Sequence, residues 1–325
     1  MLNEYSIGDS RELLKEVESS SVDLIYIDPP YCTGRDFYHF NDKFKSSADY
    51  RDLLMRPILT ECRRILSDVG NIVVHVEPKI SHHIRIVLDD IFGEKRFKNE
   101  IVWVSGGNHK SIKQLQRNHD TIIVYQKSTT SIYNAEHKDY DAKTYQQAKM
   151  CKFRKQKYNT SALVNRQPNV VSRPNLRYEW NGHYLQWHVS KERMQMLHDD
   201  NRLEYSSNTG IPRVKKYLNE MDGIPIKDVW SDIKQIQGVE KLDYATQKPI
   251  ALLNRIVKMF SNENSVVLDP CSGSGTLGRS AIVTGRDYIL FDINDDGKKL
   301  FEKSIQNIPV EEVSQEIETP LTQLL

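Results

Sequence analysis

The 325-residue chain has no apolar run long enough to cross a bilayer, which removes helical membrane proteins from consideration. Cysteine is scarce: Cys32, Cys62, Cys151 and Cys271 are widely spaced and form no CxxC pair. That spacing argues against a zinc ribbon and a disulfide framework, and it fits reduced thiols with mostly structural roles. The opening MLNEYSIGDS lacks the basic and apolar regions of a secretory leader, so a cytoplasmic location is expected. Internal repeats and low-complexity tracts are missing as well. His82, His83, His183 and His188 come with no third ligand at a fixed spacing, so no metal is expected. Nor is there an excess of charge of either sign, since 45 Lys and Arg stand against 44 Asp and Glu.

That balance conceals an asymmetry. From Ser105 to Tyr217 there are 20 basic and 9 acidic residues, a local charge of +11, so the rest of the chain carries −10 of the net +1. Residues 143–178 hold nine basic side chains and no acidic one, with Tyr145, Phe153, Tyr158 and Tyr178 interleaved. Cations that neutralise phosphates beside rings that stack on bases are what a nucleic-acid surface needs. The candidate contacts are Lys149, Lys152, Arg154, Lys155, Lys157, Arg166, Arg173 and Arg177. Taken alone, such a run reads equally well as a solvated charged face.

Either side of this segment, strands alternate with helices. A short strand near Tyr5 to Ile7 is followed by a helix from Ser10 to about Val17 and an apolar strand from Val22 to Ile27. A helix over 49–66, a strand over 72–76, a helix near 81–88 and β-branched runs at 100–104 and 121–125 come next. The rhythm resumes with a helix from Pro249 to about Phe260, a strand at 265–268, a glycine-rich turn, a helix to about Val283 and a strand at 288–291. Such alternation implies crossover connections and a largely parallel sheet. Neither piece has enough strands to bury a doubly wound core alone, so the two should form one sheet. The expected organisation is an α/β domain in two parts, residues 1–127 and 245–308, an insertion over 128–244, and a peripheral acidic tail over 309–325.

Two motifs carry chemistry. Asp28-Pro29-Pro30-Tyr31 closes a buried strand at its carboxyl end, where open α/β sheets bind ligands. The prolines restrict φ and stiffen the turn, which fixes the direction of its carbonyl groups. An aromatic amino group such as N6 of adenine is a poor nucleophile, because its lone pair is delocalised into the ring. If the Asp28 carboxylate and the Pro29 carbonyl each accept one N–H, that lone pair is aimed at an electrophilic methyl while Tyr31 stacks on the base. As a bare tripeptide, Asp-Pro-Pro reads more readily as a plain turn, and Tyr31 with the strand context reverses that preference. The second motif, Asp269, Cys271, Ser272, Gly273, Ser274, Gly275 and Thr276 with Gly278 beyond, sets a glycine turn between a strand and a helix, so that amides face a ligand. Asp292 closes the next strand, where an acidic side chain holds ribose hydroxyls of either NAD or S-adenosylmethionine (SAM). SAM is favoured: Asp269 would repel a pyrophosphate but suits an ammonium, and no second mononucleotide-binding half follows.

With both motifs in this order, the chain resembles the β-class DNA amino-methyltransferases, in which a DPPY block precedes the target-recognition region and the glycine block comes last. IGDS at 7–10, IDPPYCTGRDFYHFND at 27–42, GNIVVH at 70–75, HDTIIVYQK at 119–127 and TQKP at 246–249 are similar to family blocks, and Thr33 to Phe37 resembles Type III modification subunits and solitary adenine methyltransferases. The resemblance implies a Rossmann-like, mixed seven-stranded sheet flanked by helices, one strand antiparallel near Thr121 to Tyr125, with an inserted target-recognition domain. It implies catalytic roles for Asp28, Pro29, Pro30 and Tyr31. Asp9 would face the cofactor adenine and Asp292 the ribose, while Thr246, Lys248 and the 269–276 loop surround the methionine end. Cys271 stands where the family usually has Phe, and Asp9 reads equally as a helix N-cap. The implied partners are S-adenosyl-L-methionine and double-stranded DNA, with room for a homodimer and a restriction subunit. Cytosine N4 would fit the same two acceptors, and a catalytically inactive DNA-recognition subunit, an RNA or protein methyltransferase and an NAD dehydrogenase stay open as alternatives.

Overall fold

The computed structural model describes residues 2–32, 44–106, 115–165, 173–236 and 238–306. Eight strands build the main sheet: β1 (Glu4–Ile7), β2 (Val22–Ile27), β3 (Leu66–Val76), β4 (Phe97–Trp103), β5 (Asp120–Gln126), β6 (Val229–Trp230), β7 (Val266–Asp269) and β8 (Asp287–Asp292). Their order is β1-β8-β7-β2-β3-β5-β4-β6. Every pairing is parallel except those of β5, which runs antiparallel to both β3 and β4. β5 is therefore the antiparallel strand that the resemblance implies, and the eighth strand is the two-residue β6 added beside β4. The sheet joins β2 to β7 across some 240 residues of sequence, as the shortage of strands in either piece requires.

Six longer helices cover the sheet: α1 (Ser10–Glu16), α2 (Arg56–Ile65), α3 (Pro78–Phe92), α4 (Ile250–Phe260), α5 (Thr276–Val283) and α6 (Asp295–Ile305). In α2, Ile58, Leu59, Cys62 and Ile65 recur at helical spacing and are all buried. The expected single helix over 49–66 is instead three segments, Ser47–Asp49, a π-helical Tyr50–Met55 and α2. Pro57 at the start of α2 has no backbone N–H to give, which fits a change of helical type just before it. The strand expected to begin at residue 72 reaches back to Leu66, with its register against β2 slipping between Val22 and Leu24. Leu14, Ile58, Leu59, Ile80, Ile84 and Leu88 form one core with Ile25 and Ile27 of β2. Because strand side chains alternate, Leu24, Tyr26 and Asp28 face the opposite side.

The chain divides into two compact units, one from residues up to Glu136 and from Lys227 onward, the other His137–Ile226. The second is narrower than the expected 128–244 insertion. Its flanks belong to the first unit for physical reasons: Asn134 donates to the carbonyls of Lys258 and Ser261 at 2.9 and 3.0 Å, capping α4, and β6 extends the main sheet. Within the second unit, strands Leu203–Tyr205, Pro212–Tyr217, Gln156–Ala162 and Lys149–Cys151 form an antiparallel sheet in that order. A hairpin of Arg177–Trp180 and His183–Gln186 and a helix Lys191–Asp199 complete it around Tyr178, Trp187, Met194 and Leu197. Among the described residues, no helix is long and apolar enough to cross a membrane.

Candidate active site

The carboxyl ends of β2, β7 and β8 open onto one cavity of about 350 Å³. Asp28, Pro29, Pro30 and Tyr31 line it from the first quarter of the chain. Thr246, Lys248, Asp269, Cys271, Ser272, Gly273, Ser274, Thr276 and Asp292 line it from the last. Asp9 lines it as well, while Gly275 does not. The structure thus brings the two motifs together.

Asp28 leaves β2 on the face of Tyr26, and its carboxylate is held from two sides. Tyr31 Oη donates to Asp28 Oδ1 at 2.5 Å, and the Lys248 ammonium donates to Oδ2. Burial, and then the Asp28 carboxylate, push the Tyr31 hydroxyl well above the usual phenol range, so it stays a donor. Beneath them lies a polar group that the motifs did not announce. The Tyr26 hydroxyl meets His75 Nδ1 at 2.9 Å, and His75 Nε2 meets Asp120 Oδ2 at 3.3 Å, with His75 wholly buried. Burial alone would raise the Asp120 carboxyl, but the His75 hydrogen bond with Lys248 and Arg117 outweighs it and holds the carboxyl low. Strand alternation could have found Tyr26, two residues before Asp28. His75 and Asp120 sit in the GNIVVH and HDTIIVYQK blocks, where nothing in the local sequence joins them.

The glycine turn works differently from the expected row of ligand-facing amides. The Gly273 amide donates to Asp292 Oδ2 at 2.8 Å, the Ser272 amide to the Phe291 carbonyl at 2.9 Å, and the Cys271 amide to Asp269 Oδ1 at 2.9 Å. Those donors are spent inside the protein, so the loop offers hydroxyl and carbonyl groups instead of an anion cradle. Gly273 and Gly275 adopt φ of 50° and 72°, the left-handed region, and a Cβ on Gly275 would lie 2.6 Å from Phe301. Burial, reinforced by Asp28 and Asp292, lifts the Asp269 carboxyl well above the usual carboxylate range. A cavity with acidic groups at Asp28, Asp269 and Asp292 and with spent amides suits a cationic ligand and refuses a pyrophosphate. This is the fit expected for S-adenosyl-L-methionine, whose sulfonium and ammonium are both cations. Asp292 accepts from the amides of Gly273 and Asn294 where it lines the cavity, and Ile293 beside it, 68% exposed, presents an apolar face at the rim.

Asp9 is the N-cap of α1, accepting from the Arg11 amide at 2.9 Å and paired with the Arg11 guanidinium. The hydrogen bonds from Arg11 hold its carboxyl below the usual range. Lys248, expected at the methionine end, lines the cavity and is seated on Asp28. Gln247 between Thr246 and Lys248 pins the segment through Leu242 N and Glu240 O.

The basic candidates of the second unit separate into two groups. Arg154 pairs with Asp200 and lies over the Tyr217 ring, Lys149 pairs with Glu204, and Lys157 donates to the Tyr145 carbonyl at 2.6 Å. Lys152, Lys155, Arg173 and Arg177 are exposed with no ion pair among the described residues. Arg166 lies outside the described residues, as do Thr33 to Phe37 and the acidic tail. No cluster of three or more His, Cys, Asp or Glu able to hold a metal occurs among the described residues.

Comparison with known proteins gives one consistent result. The profile of a family described as DNA methylase, acting at N6 or N4, matches residues 22–303. The chain is 29% identical to the Type II methyltransferase M.EcaI of Enterobacter cloacae over 85% of its own length and 63% of that protein. It is 26% identical to the StyLTI Mod subunit of a Salmonella typhimurium Type III restriction-modification enzyme, over 92% of the chain and 51% of that subunit. It is also 26% identical to the Escherichia coli DNA adenine methyltransferase YhdJ, over 90% and 79%. The chain therefore spans between half and two thirds of the first two relatives. Among solved structures, a DNA modification methylase from Thermus thermophilus complexed with S-adenosyl-L-methionine shares the fold at 17% identity, TM-score 0.51, covering 96% of the chain and 95% of that protein.

Proposed function

The chain belongs to the DNA methylase family, and from that membership and the cavity we propose that it is a site-specific DNA methyltransferase, transferring a methyl group from S-adenosyl-L-methionine to N6 of an adenine extruded from duplex DNA. The observation that carries this reading is the meeting of Asp28-Pro29-Pro30-Tyr31 with the 269–276 loop on one cavity. Bound there, the cofactor would supply a methyl group made electrophilic by its sulfonium. The residues of the chain do the rest. Asp28 and the Pro29 carbonyl accept the two N–H bonds of the amino group and hold its lone pair toward the methyl. The Asp28 carboxylate also offsets the positive charge that grows on nitrogen as the bond forms. Tyr31, anchored to Asp28 through its hydroxyl, offers its ring to the base. Asp292 and Ile293 take the nucleoside end, Asp269 the ammonium by giving up its proton as that cation arrives, and Thr246, Ser272, Ser274 and Thr276 the remaining wall.

Adenine is preferred over cytosine because YhdJ is named an adenine methyltransferase, and the same clamp would fit cytosine N4. Double-stranded DNA is the partner that this chemistry needs, with Lys152, Lys155, Arg173 and Arg177 as phosphate contacts. A restriction subunit enters through the Type III Mod relatives, and a homodimer through the family resemblance; both are tested by co-purification and light scattering. The central test is expression in a host free of adenine methylation, followed by nucleoside analysis and single-molecule sequencing. N6-methyladenine at one recurring sequence is expected, N4-methylcytosine would move the target, and unmodified DNA would sink the reading.

A further inference from the structure

We propose that Lys248 is a built-in stand-in for the target amino group, an ammonium that occupies the clamp until a base bearing its own amino group displaces it. The inference rests on the methyl-transfer reading above and adds a gate to it. Two of the three contacts assigned there to the incoming base are already made by Lys248. Its ammonium donates to Asp28 Oδ2, and it lies 5.2 Å from the centroid of the Tyr31 ring. The pair is sheltered, with side chains only 12% and 16% exposed, so water competes for it poorly. Among the described residues lining the cavity, the other cation, Arg11, is committed to Asp9.

The backbone at this point is fixed while the side chain is not. Pro249 caps α4 and the Lys248 carbonyl accepts from Thr276 Oγ1 at 3.4 Å, whereas four methylene groups let the ammonium swing away. A purine or pyrimidine without an amino group has no exocyclic N–H pair to exchange for the ammonium. Its docking would leave the ion pair intact and the clamp shut, which makes Lys248 a specificity-determining residue as well as a gate. Adenine exchanges one donor for another on the same oxygen, and the released ammonium gains water.

The test reads base docking and not turnover. A duplex carrying the methylated sequence has 2-aminopurine beside the target adenine, so emission rises when the adenine leaves the stack. Measured at saturating protein, the Lys248→Met variant should raise the ratio of docked to stacked base about tenfold, the worth of one charge-assisted hydrogen bond. Lys248→Arg, which keeps the ion pair, should leave the ratio near wild type. In an Asp28→Asn background the Lys248→Met change should have no further effect, since its partner charge is gone. An unchanged or lowered ratio in Lys248→Met overturns the inference, and so does an equal effect in both backgrounds. Lys248→Gln repeats the measurement should the Met variant fail to fold. A variant that loses only S-adenosyl-L-methionine affinity would make Lys248 a cofactor ligand, again overturning it. A wild-type protein that methylates no DNA sinks the methyl-transfer reading too, whereas methylation with an inert Lys248→Met sinks the gate alone.

Discussion

Gly297, in the first turn of α6, decides between two opposing effects of one added methyl. In an open helix, exchanging glycine for alanine gains about 1 kcal/mol, because glycine has more backbone freedom to lose. Here the Cβ would lie 1.9 Å from the Gly273 carbonyl oxygen and 2.8 Å from the Tyr5 hydroxyl. A carbon and a carbonyl oxygen approach to about 3.3 Å at the closest, so helix or loop must retreat by roughly 1.4 Å. Retreat strains the bond that Tyr5 Oη donates to that same carbonyl at 2.7 Å, worth about 1 kcal/mol, and overpacking adds about 1–3 kcal/mol. Burial therefore wins over propensity, and Gly297→Ala should lose about 1–3 kcal/mol net. The damage is local to the glycine turn, so S-adenosyl-L-methionine affinity should fall with it. Urea unfolding and calorimetric titration measure the two quantities. A variant more stable than wild type with unaltered cofactor affinity would refute the argument from close approach.

Asp28→Ala should lower methylation by about a hundredfold or more while cofactor binding survives, and calorimetry beside a methylation assay separates the two. Asp269 keeps its proton in the folded state at pH values where the unfolded chain has lost it, so stability should fall as pH rises above the usual carboxylate range. Asp269→Asn should flatten that fall in Tm measured from about pH 5 to about pH 9, and an unchanged slope would count against the buried acid form. His75→Phe strands the Tyr26 hydroxyl and the Asp120 carboxylate and should cost about 2–4 kcal/mol in urea melts. Adding Tyr26→Phe should recover part of it, and strict additivity would show that the three do not act together. Lys152→Ala and Lys155→Ala should each reduce the salt dependence of DNA binding by roughly one unit of slope, whereas Arg154→Ala should chiefly destabilise the second unit. Equal effects of all three on the salt slope would contradict that division.

The parts of the site that follow from local sequence were legible. The run Val22 to Ile27 reads as a strand because β2 is buried on both faces and five of its six residues are apolar, Asp23 being the exception that accepts from Ser67 and the Val266 amide. Glycines at 273 and 275 mark a turn that only small residues can make, next to Phe301. What escaped the sequence depends on long-range partners. Nothing near Lys248 says that its ammonium meets a carboxylate 220 residues away, and nothing near Arg154 says that Asp200 takes its charge. Counting basic residues weighs all of them equally, but folding commits several before any phosphate arrives. The glycine turn misled in a similar way, since its spacing suggests ligand-facing amides and the fold turns at least three inward.

The second unit begins with His137–Lys138 and closes with Ile224–Pro225, and these two short strands pair antiparallel with each other. Gly223 lets the returning backbone come close, since a Cβ there would stand 2.5 Å from the Lys138 carbonyl. The two ends of that unit thus meet at one two-rung pair, and the eight-stranded sheet that shapes the cavity takes none of its strands from the residues between them. A segment whose two ends already lie together can be lengthened or exchanged without disturbing the register of any strand that shapes the cavity.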